Sequence, residues 1–501
     1  MTALATAYDH GLKLSQAGRH AEAIEQYERA LTVEPNSPRV LFALGNTARA
    51  LGMPGPAEQM FRQVLAIEPG RLEAVVSLAN LLRAGGQFDA AKALLEPALA
   101  REPEAPELWL TLGSTLREMG DWMPAEVHYR EALRLKPDYA AAAANLADML
   151  TDTGAFDEAR GLYDKAVRLA PNDAQAKLNR AVLHLLTGNL KDGWRDYAAR
   201  LKLAKAPIRE HRIAAWSGGP LKRTRLLVGG EQGIGDQIMF ASMIPELCAR
   251  AADEGGSVVL ECEPRLVTLF ARSFPQATVH GWDLVEREGV KRARYDWLKA
   301  AGGANAFVEM GSLGKVLRRE IADFPKRHAY LKPQAIEMAQ FGGAFAGVGD
   351  GPFIGVCWRS GNTAGHRALQ YAPLGAWAQF IAKLPGTVVS VQYDATEAEV
   401  DILSALAERP ILTLDGLDQK NELDRSCAML ASLDAVVTAP TAVAWLAAGA
   451  GVETYKIVYD TSWTAFAQTY EPFAPSCAVV MPDTRGDWAS AFGKVLTRLS
   501  S

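Results

Sequence analysis

The residues best equipped for chemistry stand in one glycine-rich stretch, Gly229-Gly230-Glu231-Gln232-Gly233-Ile234-Gly235-Asp236. Glu231 and Asp236 are its ionisable pair, set in an otherwise small-residue turn. Before it, Arg225-Leu226-Leu227-Val228 is a short apolar run of the kind that forms buried parallel strands. After it, Ile238, Met239, Met243, Ile244 and Leu247 recur at roughly helical spacing. A strand that ends in such a turn and opens a helix leaves backbone N–H groups pointing into a crevice, where an anion is stabilised. No Lys-Ser/Thr pair follows, so the stretch is not a phosphate-binding P-loop, and it lacks the third glycine of a dinucleotide fingerprint.

The rest of the chain must position that turn. Its 501 residues are enough for about three domains, and nearly half are apolar, so each can bury a core. A net charge of −5 and a pI near 6.0 argue against nucleic acid as the main partner. The five cysteines (Cys248, Cys262, Cys357, Cys427, Cys477) are scattered and odd in number, which fits packed thiols in a reduced compartment rather than disulfides or zinc. The first residues have neither the basic flank nor the apolar core of a secretory signal. The longest apolar run, near Thr441 to Val452, is too short to span a bilayer. The expected location is cytoplasmic.

The first two hundred residues repeat. Pro35, Pro69, Pro103, Pro137 and Pro171 stand 34 residues apart, and Gly18, Gly52, Gly86, Gly120, Gly154 and Gly188 keep the same step. So do Ala23, Ala57, Ala91, Ala125 and Ala159, each followed four residues on by Tyr27, Phe61, Leu95, Tyr129 or Tyr163. Glycine ends a first helix and proline follows a second, which it cannot continue. This pattern resembles the tetratricopeptide repeat, whose period is 34. Such arrays stack into a superhelix with first helices lining a concave groove. On that face stand Asn46, Asn80, Ser114 and Asp148, with Arg49, Arg83 and Arg117 a turn further along. Asparagine bonds a peptide's N–H and C=O together, and arginine suits carboxylates, so the groove is read as a site for an extended, partly acidic protein segment. A solvated helix face is the plainer alternative.

A sixth unit keeps Gly188 and Tyr197 but has Gly193-Trp194 at the alanine position, as a terminal unit that docks onto something else would. Leu201 to Lys222 reads as a linker, with Trp194 and Trp216 as packing residues. From Arg225 the pattern alternates strand and helix, with strands read at 258–261, 277–280 and 306–310. Five glycines between Phe341 and Pro352 mark a boundary. Strands follow at 353–358, 387–392, 411–415 and 434–438, with a helix from Thr441. Two successive α/β units joined by a glycine-rich hinge place a ligand cleft at the carboxyl ends of their strands. The division is therefore a repeat array at 1–205, a linker and first α/β unit at 206–350, and a second α/β unit at 351–501.

Two runs, GNLKDGWRDYAARLK…WSGGPLKRTRLLVGGEQGIGDQIMFASMIP and IGVCWRSGNTAGHRALQYAPL…VVSVQYD, resemble bacterial tetratricopeptide proteins fused to a glycosyltransferase domain. The C-terminal part is similar to heptosyltransferases and, more distantly, to protein O-GlcNAc transferases, all of the twin-Rossmann GT-B fold. The resemblance implies an array that recruits an acceptor protein, a first α/β unit that presents it, and a second that binds a nucleotide-sugar as co-substrate. Some bacterial members of this architecture modify flagellins, which makes flagellin a candidate acceptor. Asp236 matches the family's catalytic base, in the turn of Gln232, Gly233 and Gly235. Trp358, Arg359, Ser360, Gly361 and Asn362 match the donor-side loop. Arg367 falls near the diphosphate, Gln392 near the base or ribose, Asp415 at another strand end, and Thr441 at the donor phosphate.

The sequence also departs from the family. Where V-D-T-x-x-x-H is common, it reads Ala439-Pro440-Thr441 with Trp445 in the histidine position. No Asp-x-Asp motif occurs in the α/β half, so no divalent metal or other cofactor is expected. Arginines and helix dipoles would then stabilise the departing phosphate. Asp236 and Thr441 also read as helix N-caps, Trp358 and Trp445 as core, and His366 as a weak acid–base candidate. The expected function is transfer of sugar from an activated nucleotide to a side-chain hydroxyl of a recruited protein. The rival, favoured by the altered stretch around Thr441, is a non-catalytic peptide-binding scaffold on a degenerate GT-B domain.

Overall fold

Glycine and proline placement folds the start of the chain into helical hairpins. The computed structural model describes residues 3–204, 206–287, 289–361 and 370–500. The chain divides into two units, Met1–Ala176 and Lys177–Ser501. In the first run α1 (Ala3–Gln16), α2 (His20–Val33), α3 (Pro38–Ala50), α4 (Pro54–Ile67), α5 (Leu72–Ala84), α6 (Phe88–Arg101), α7 (Pro106–Met119), α8 (Trp122–Leu135), α9 (Ala140–Asp152) and α10 (Phe156–Leu169). The repeating glycines Gly18, Gly52, Gly86, Gly120 and Gly154 all have positive φ, between 72° and 90°. That left-handed residue after each first helix reverses the chain, and only glycine adopts it without strain.

The repeating alanines are fully buried, and the large residue one turn later is no more than 2% exposed in every repeat. A further row at the same step explains this. Gly11, Gly45, Ala79, Gly113 and Ala147 lie on the first helices. A Cβ on Gly11, Gly45 or Gly113 would meet the ring of Tyr27, Phe61 or Tyr129 at 2.7–3.0 Å. The small residue of one helix therefore receives the large one of the other.

The boundary between the units falls within α11 (Ala174–Leu186), which with α12 (Leu190–Tyr197) makes up the degenerate repeat. Gly193 replaces alanine because Leu185 approaches so closely that a Cβ would lie 2.6 Å from it. Trp194 donates its indole N–H to the Arg318 carbonyl at 2.7 Å and packs edge-on against Phe240, Phe466 and Phe473. The stretch read as a linker holds two short strands, β1 (Ile208–Arg209) and β2 (Ala214–Ala215). Next come β3 (Arg225–Gly229), α13 (Ile234–Ala241), α14 (Ile244–Glu254), β4 (Ser257–Cys262), α15 (Val267–Ser273), β5 (Ala277–Gly281), the hairpin β6 (Asp283–Arg287) and β7 (Val290–Arg294), and β8 (Ala306–Glu309). One sheet has the order β2-β8-β3-β4-β5 with every pair parallel, and a smaller one has the order β1-β7-β6.

After α16 (Gly314–Leu317), α17 (Ala335–Ala346) runs into the glycine-rich stretch read as a boundary. Phe345 stacks on Phe353, and the Ser432 hydroxyl donates to the Met338 carbonyl at 3.0 Å, so this helix packs with the segment beyond the boundary. The last elements are β9 (Phe353–Cys357), α18 (Leu374–Ile381), β10 (Thr387–Ser390), α19 (Glu397–Ala407), α20 (Leu423–Leu430), β11 (Ala435–Thr438), α21 (Ala442–Gly449), β12 (Glu453–Ile457), β13 (Tyr470–Glu471), β14 (Ala474–Val480) and α22 (Trp488–Leu499). The sheet order is β10-β9-β11-β12-β14-β13, parallel except for the antiparallel edge strand β13. The expected strand at 411–415 is absent: Leu412 makes only an isolated bridge to Val389. A continuous apolar core runs from Trp194 through Phe240 to Trp445 and Phe473. No helix among the described residues is long and apolar enough to cross a membrane.

Candidate functional site

At the end of β3 the chain passes so close to β4 that a Cβ on Gly230 would lie 2.8 Å from the Glu261 carbonyl oxygen. Glu231 then turns inward and is 4% exposed. Arg200 forks onto both its oxygens, with Nε at 2.9 Å from Oε2 and Nη2 on Oε1, and the Gly311 N–H donates to Oε1 at 2.8 Å. Gln232 takes a left-handed backbone, φ 61°. Gly233, in extended conformation, is the N-cap of α13. Asp236 is therefore not the N-cap; it is the third helical residue, and its Oδ2 accepts the Gly233 N–H at 3.1 Å. Burial pushes its carboxyl above the ordinary aspartate range and Glu231 adds to this, while the Gly233 N–H and Arg200 oppose it.

The second sheet brings its own strand ends to this turn. A Cβ on Gly235 would lie 3.5 Å from Ala442 Cα and 3.4 Å from Trp445 Cδ1, so α13 packs against the start of α21. Thr441 caps α21, its hydroxyl accepting the Val443 N–H at 3.3 Å and lying 3.7 Å from Cys357 Sγ. Trp445 is nearly buried, with the Lys456 ammonium 5.2 Å from its ring centre. The loop after β9 is braced from beneath. Gln392 Oε1 accepts the Trp358 and Arg359 N–H groups, each at 3.0 Å, and its Nε2 donates to the Arg359 carbonyl at 2.9 Å. Its amide thus serves the loop backbone.

Arg359, read as a phosphate ligand, is bidentate on Glu399 (2.8 and 2.6 Å) and reaches Asp394 at 3.0 Å. Trp358 is buried and donates to Glu399 at 2.8 Å. The carbonyl of Ser360 lies 3.5 Å from Arg359 Nη1, and the Gly361 N–H donates to the Tyr393 hydroxyl at 2.6 Å. Asn362, His366 and Arg367 lie outside the described residues. Asp415 is exposed in a loop, because the strand expected to end there does not form.

Behind the turn lies a charge cluster that the sequence reading missed. Arg209, from the supposed linker, contacts Glu261, Glu309 (2.7 Å), the Tyr295 hydroxyl (2.7 Å) and the Gly230 carbonyl. Burial pushes Glu309 up to about 7, helped by Glu231 and opposed by Arg209. Glu261 is raised by burial as well. A usable signal was present: both glutamates close otherwise apolar strand runs, Val258-Val259-Leu260-Glu261 and Phe307-Val308-Glu309. Among the described residues no three His, Cys, Asp or Glu side chains are placed to share a metal ion.

In the repeat unit the expected groove residues divide. Asn46 is half-buried and Arg49 exposed. Arg83 bonds Asn80 at 3.3 Å and faces Glu118 of the next repeat at 3.6 Å. Arg117 is paired with Asp152 at 2.6 Å and lies 3.9 Å from Asp148, which also takes the Tyr163 hydroxyl. Ser114 is buried, its hydroxyl bonding the Leu110 carbonyl, Tyr129 and Asn145.

Comparison with known proteins bears mainly on this array. Tetratricopeptide-repeat models match residues 11–52, 48–114, 82–126, 110–174 and 152–207. Protein FlbA of Caulobacter vibrioides is 31% identical over 318 residues, 63% of this chain and more than the repeats alone occupy. The chain spans about half, 53%, of that relative. Among solved structures, a thermophilic TPR protein of Thermus thermophilus is 27% identical over 36% of this chain and all of its own, with a TM-score of 0.33. Pseudomonas aeruginosa pilF is 22% identical over 40% of this chain and 90% of its own, with a TM-score of 0.35. The N-terminal array is a tetratricopeptide repeat array, and the chain is a TPR-containing protein similar to FlbA.

Proposed function

We propose that the chain is a glycosyltransferase of the GT-B type that recruits a protein through its repeats and transfers sugar from a nucleotide donor to a side-chain hydroxyl, with flagellin as the candidate acceptor. The observation that carries this reading is the meeting of two strand ends. The turn after β3 bears Asp236, and it packs against the helix that follows β11 and is capped by Thr441. Ligands of open parallel sheets bind outside the carboxyl ends of the strands. The start of α21 and the loop after β9 would hold the donor diphosphate. Asp236 would take the hydroxyl proton as the acceptor oxygen bonds the sugar carbon and the carbon–phosphate-oxygen bond breaks. Its raised pKa makes it a stronger base than an ordinary aspartate.

A specific observation favours the scaffold reading as second. Arg359 is committed to Glu399 and Asp394, and Trp445 fills the space beside Gly235. Two measurements separate the readings. Calorimetry of the full chain against a panel of nucleoside mono- and diphosphates should show binding, and silence across the panel leaves the scaffold. Intact-mass analysis of the acceptor should then show that Asp236→Asn loses roughly 10²–10⁴-fold in transfer. Asparagine can still accept the Gly233 N–H, so melting temperature and nucleotide affinity should hold. Transfer at the wild-type rate would reduce Asp236 to a structural residue.

A further inference from the structure

Tyr197 ends α12, and Arg200 lies in the 3-10 turn that follows it, yet both reach into the glycine-rich turn. The Tyr197 hydroxyl lies 3.0 Å from Nε2 and 3.1 Å from Oε1 of Gln232. Arg200 occupies both oxygens of Glu231 and donates to the Ser312 hydroxyl at 3.0 Å. The two are tied to each other: Arg200 Nη1 donates to the Tyr197 carbonyl at 3.0 Å, and the guanidinium lies 4.5 Å from the Tyr197 ring centre. Two consecutive residues just before the α13 cap are thus gripped by two residues of the terminal repeat. A left-handed backbone at a non-glycine residue such as Gln232 persists only where its surroundings over-determine it. Trp194 supplies the footing, through its bond to the Arg318 carbonyl and its close packing on Gly314.

We infer that Tyr197 and Arg200 are positioning residues for Asp236: the last repeat holds the turn that aims the carboxylate. This rests on the glycosyltransferase reading. Among the described residues, the charged and titratable groups around Asp236 are few. Glu231, Arg200 and Tyr197 face it, and Glu309 precedes the 3-10 turn Met310–Leu313 that packs on α13. The packed helix α21 carries no titratable residue. Glu231 disfavours a charged Asp236 and Arg200 favours it, so losing Arg200 raises the Asp236 pKa further.

The test uses the full chain, with Tyr197→Phe removing one oxygen and Arg200→Lys keeping the charge while losing the fork. Hydrogen–deuterium exchange should quicken at residues 231–236 in both variants, while the other regions and the melting curve stay close to wild type. In transfer assays with the nucleotide-sugar that the calorimetric panel selects, kcat should fall roughly ten- to hundredfold with donor KM unchanged. Arg200→Met should move the acidic limb of the kcat profile to higher pH, and Arg200→Lys should restore its position. Unchanged exchange at 231–236, or quickened exchange with wild-type kcat and pH profile, overturns the positioning role. A wild-type chain that binds no nucleotide and transfers nothing overturns the enzyme reading itself, and the positioning role with it.

Discussion

Burial pushes Glu309 up to about 7 although Arg209 holds its carboxylate at 2.7 Å. In the unfolded chain the same group titrates near the ordinary glutamate value, about 4.3. The folded protein therefore binds this proton more tightly than the unfolded one. Its contribution to stability is fully present below about pH 4.3 and is lost as pH rises through about 7. Glu309→Gln mimics the protonated side chain and removes the titration. Denaturant unfolding at about pH 5 and about pH 8 should show the wild type losing roughly 1–3 kcal/mol more than the variant between the two. Parallel losses would mean that Arg209 fully compensates the charge.

At the scale of elements, close helix approach governs the sixth repeat. In the other repeats a fully buried alanine sets the distance between paired helices. At Gly193 even that methyl has no room, since it would fall 2.6 Å from Leu185 and 3.2 Å from its backbone N. Gly193→Ala, which restores the residue of the other repeats, should therefore destabilise by about 1–3 kcal/mol. Thermal unfolding checks it, and a neutral or stabilising result would show that α12 can shift to admit the methyl. Gly120→Ala makes the natural control for backbone strain alone, because its φ is 90° and nothing lies within 4 Å of an added Cβ.

At the scale of the whole molecule, the proposed capture of an acidic segment through arginines falls to a chain whose own net charge is −5. The row is not uniform. Arg83 faces Glu118 and Arg117 is paired with Asp152, whereas the matching position after Arg49 is Ala84. Arg49 is the member exposed without an ion pair among the described residues. Arg49→Ala should weaken capture of an acidic acceptor segment roughly tenfold or more. Arg117→Ala should change capture little and cost at most about 1 kcal/mol of stability, its pair being partly solvated. Pull-down of the acceptor with each variant decides it, and equal losses would mean that the row acts as one surface.

The repeat array was legible along the chain because every repeating residue answers a local demand. A left-handed turn needs Gly18 and its successors, and a helix pair needs Ala23 and its successors buried against Tyr27 and its successors. The turn at Asp236 was legible too, since a strand, a glycine run and a helix are contiguous there. How each side chain is used was settled by long-range packing instead. Arg359 and Gln392 lie in a loop and at a strand end that suit a ligand, but their partners Glu399, Asp394 and the loop backbone are set by the way β9, β10 and α19 pack. Arg209 looked like linker charge until the strands carrying Glu261 and Glu309 were laid side by side with β3 between them. Periodicity fixes which face of an element is buried; which charged groups share a low-dielectric space depends on contacts between residues far apart in sequence.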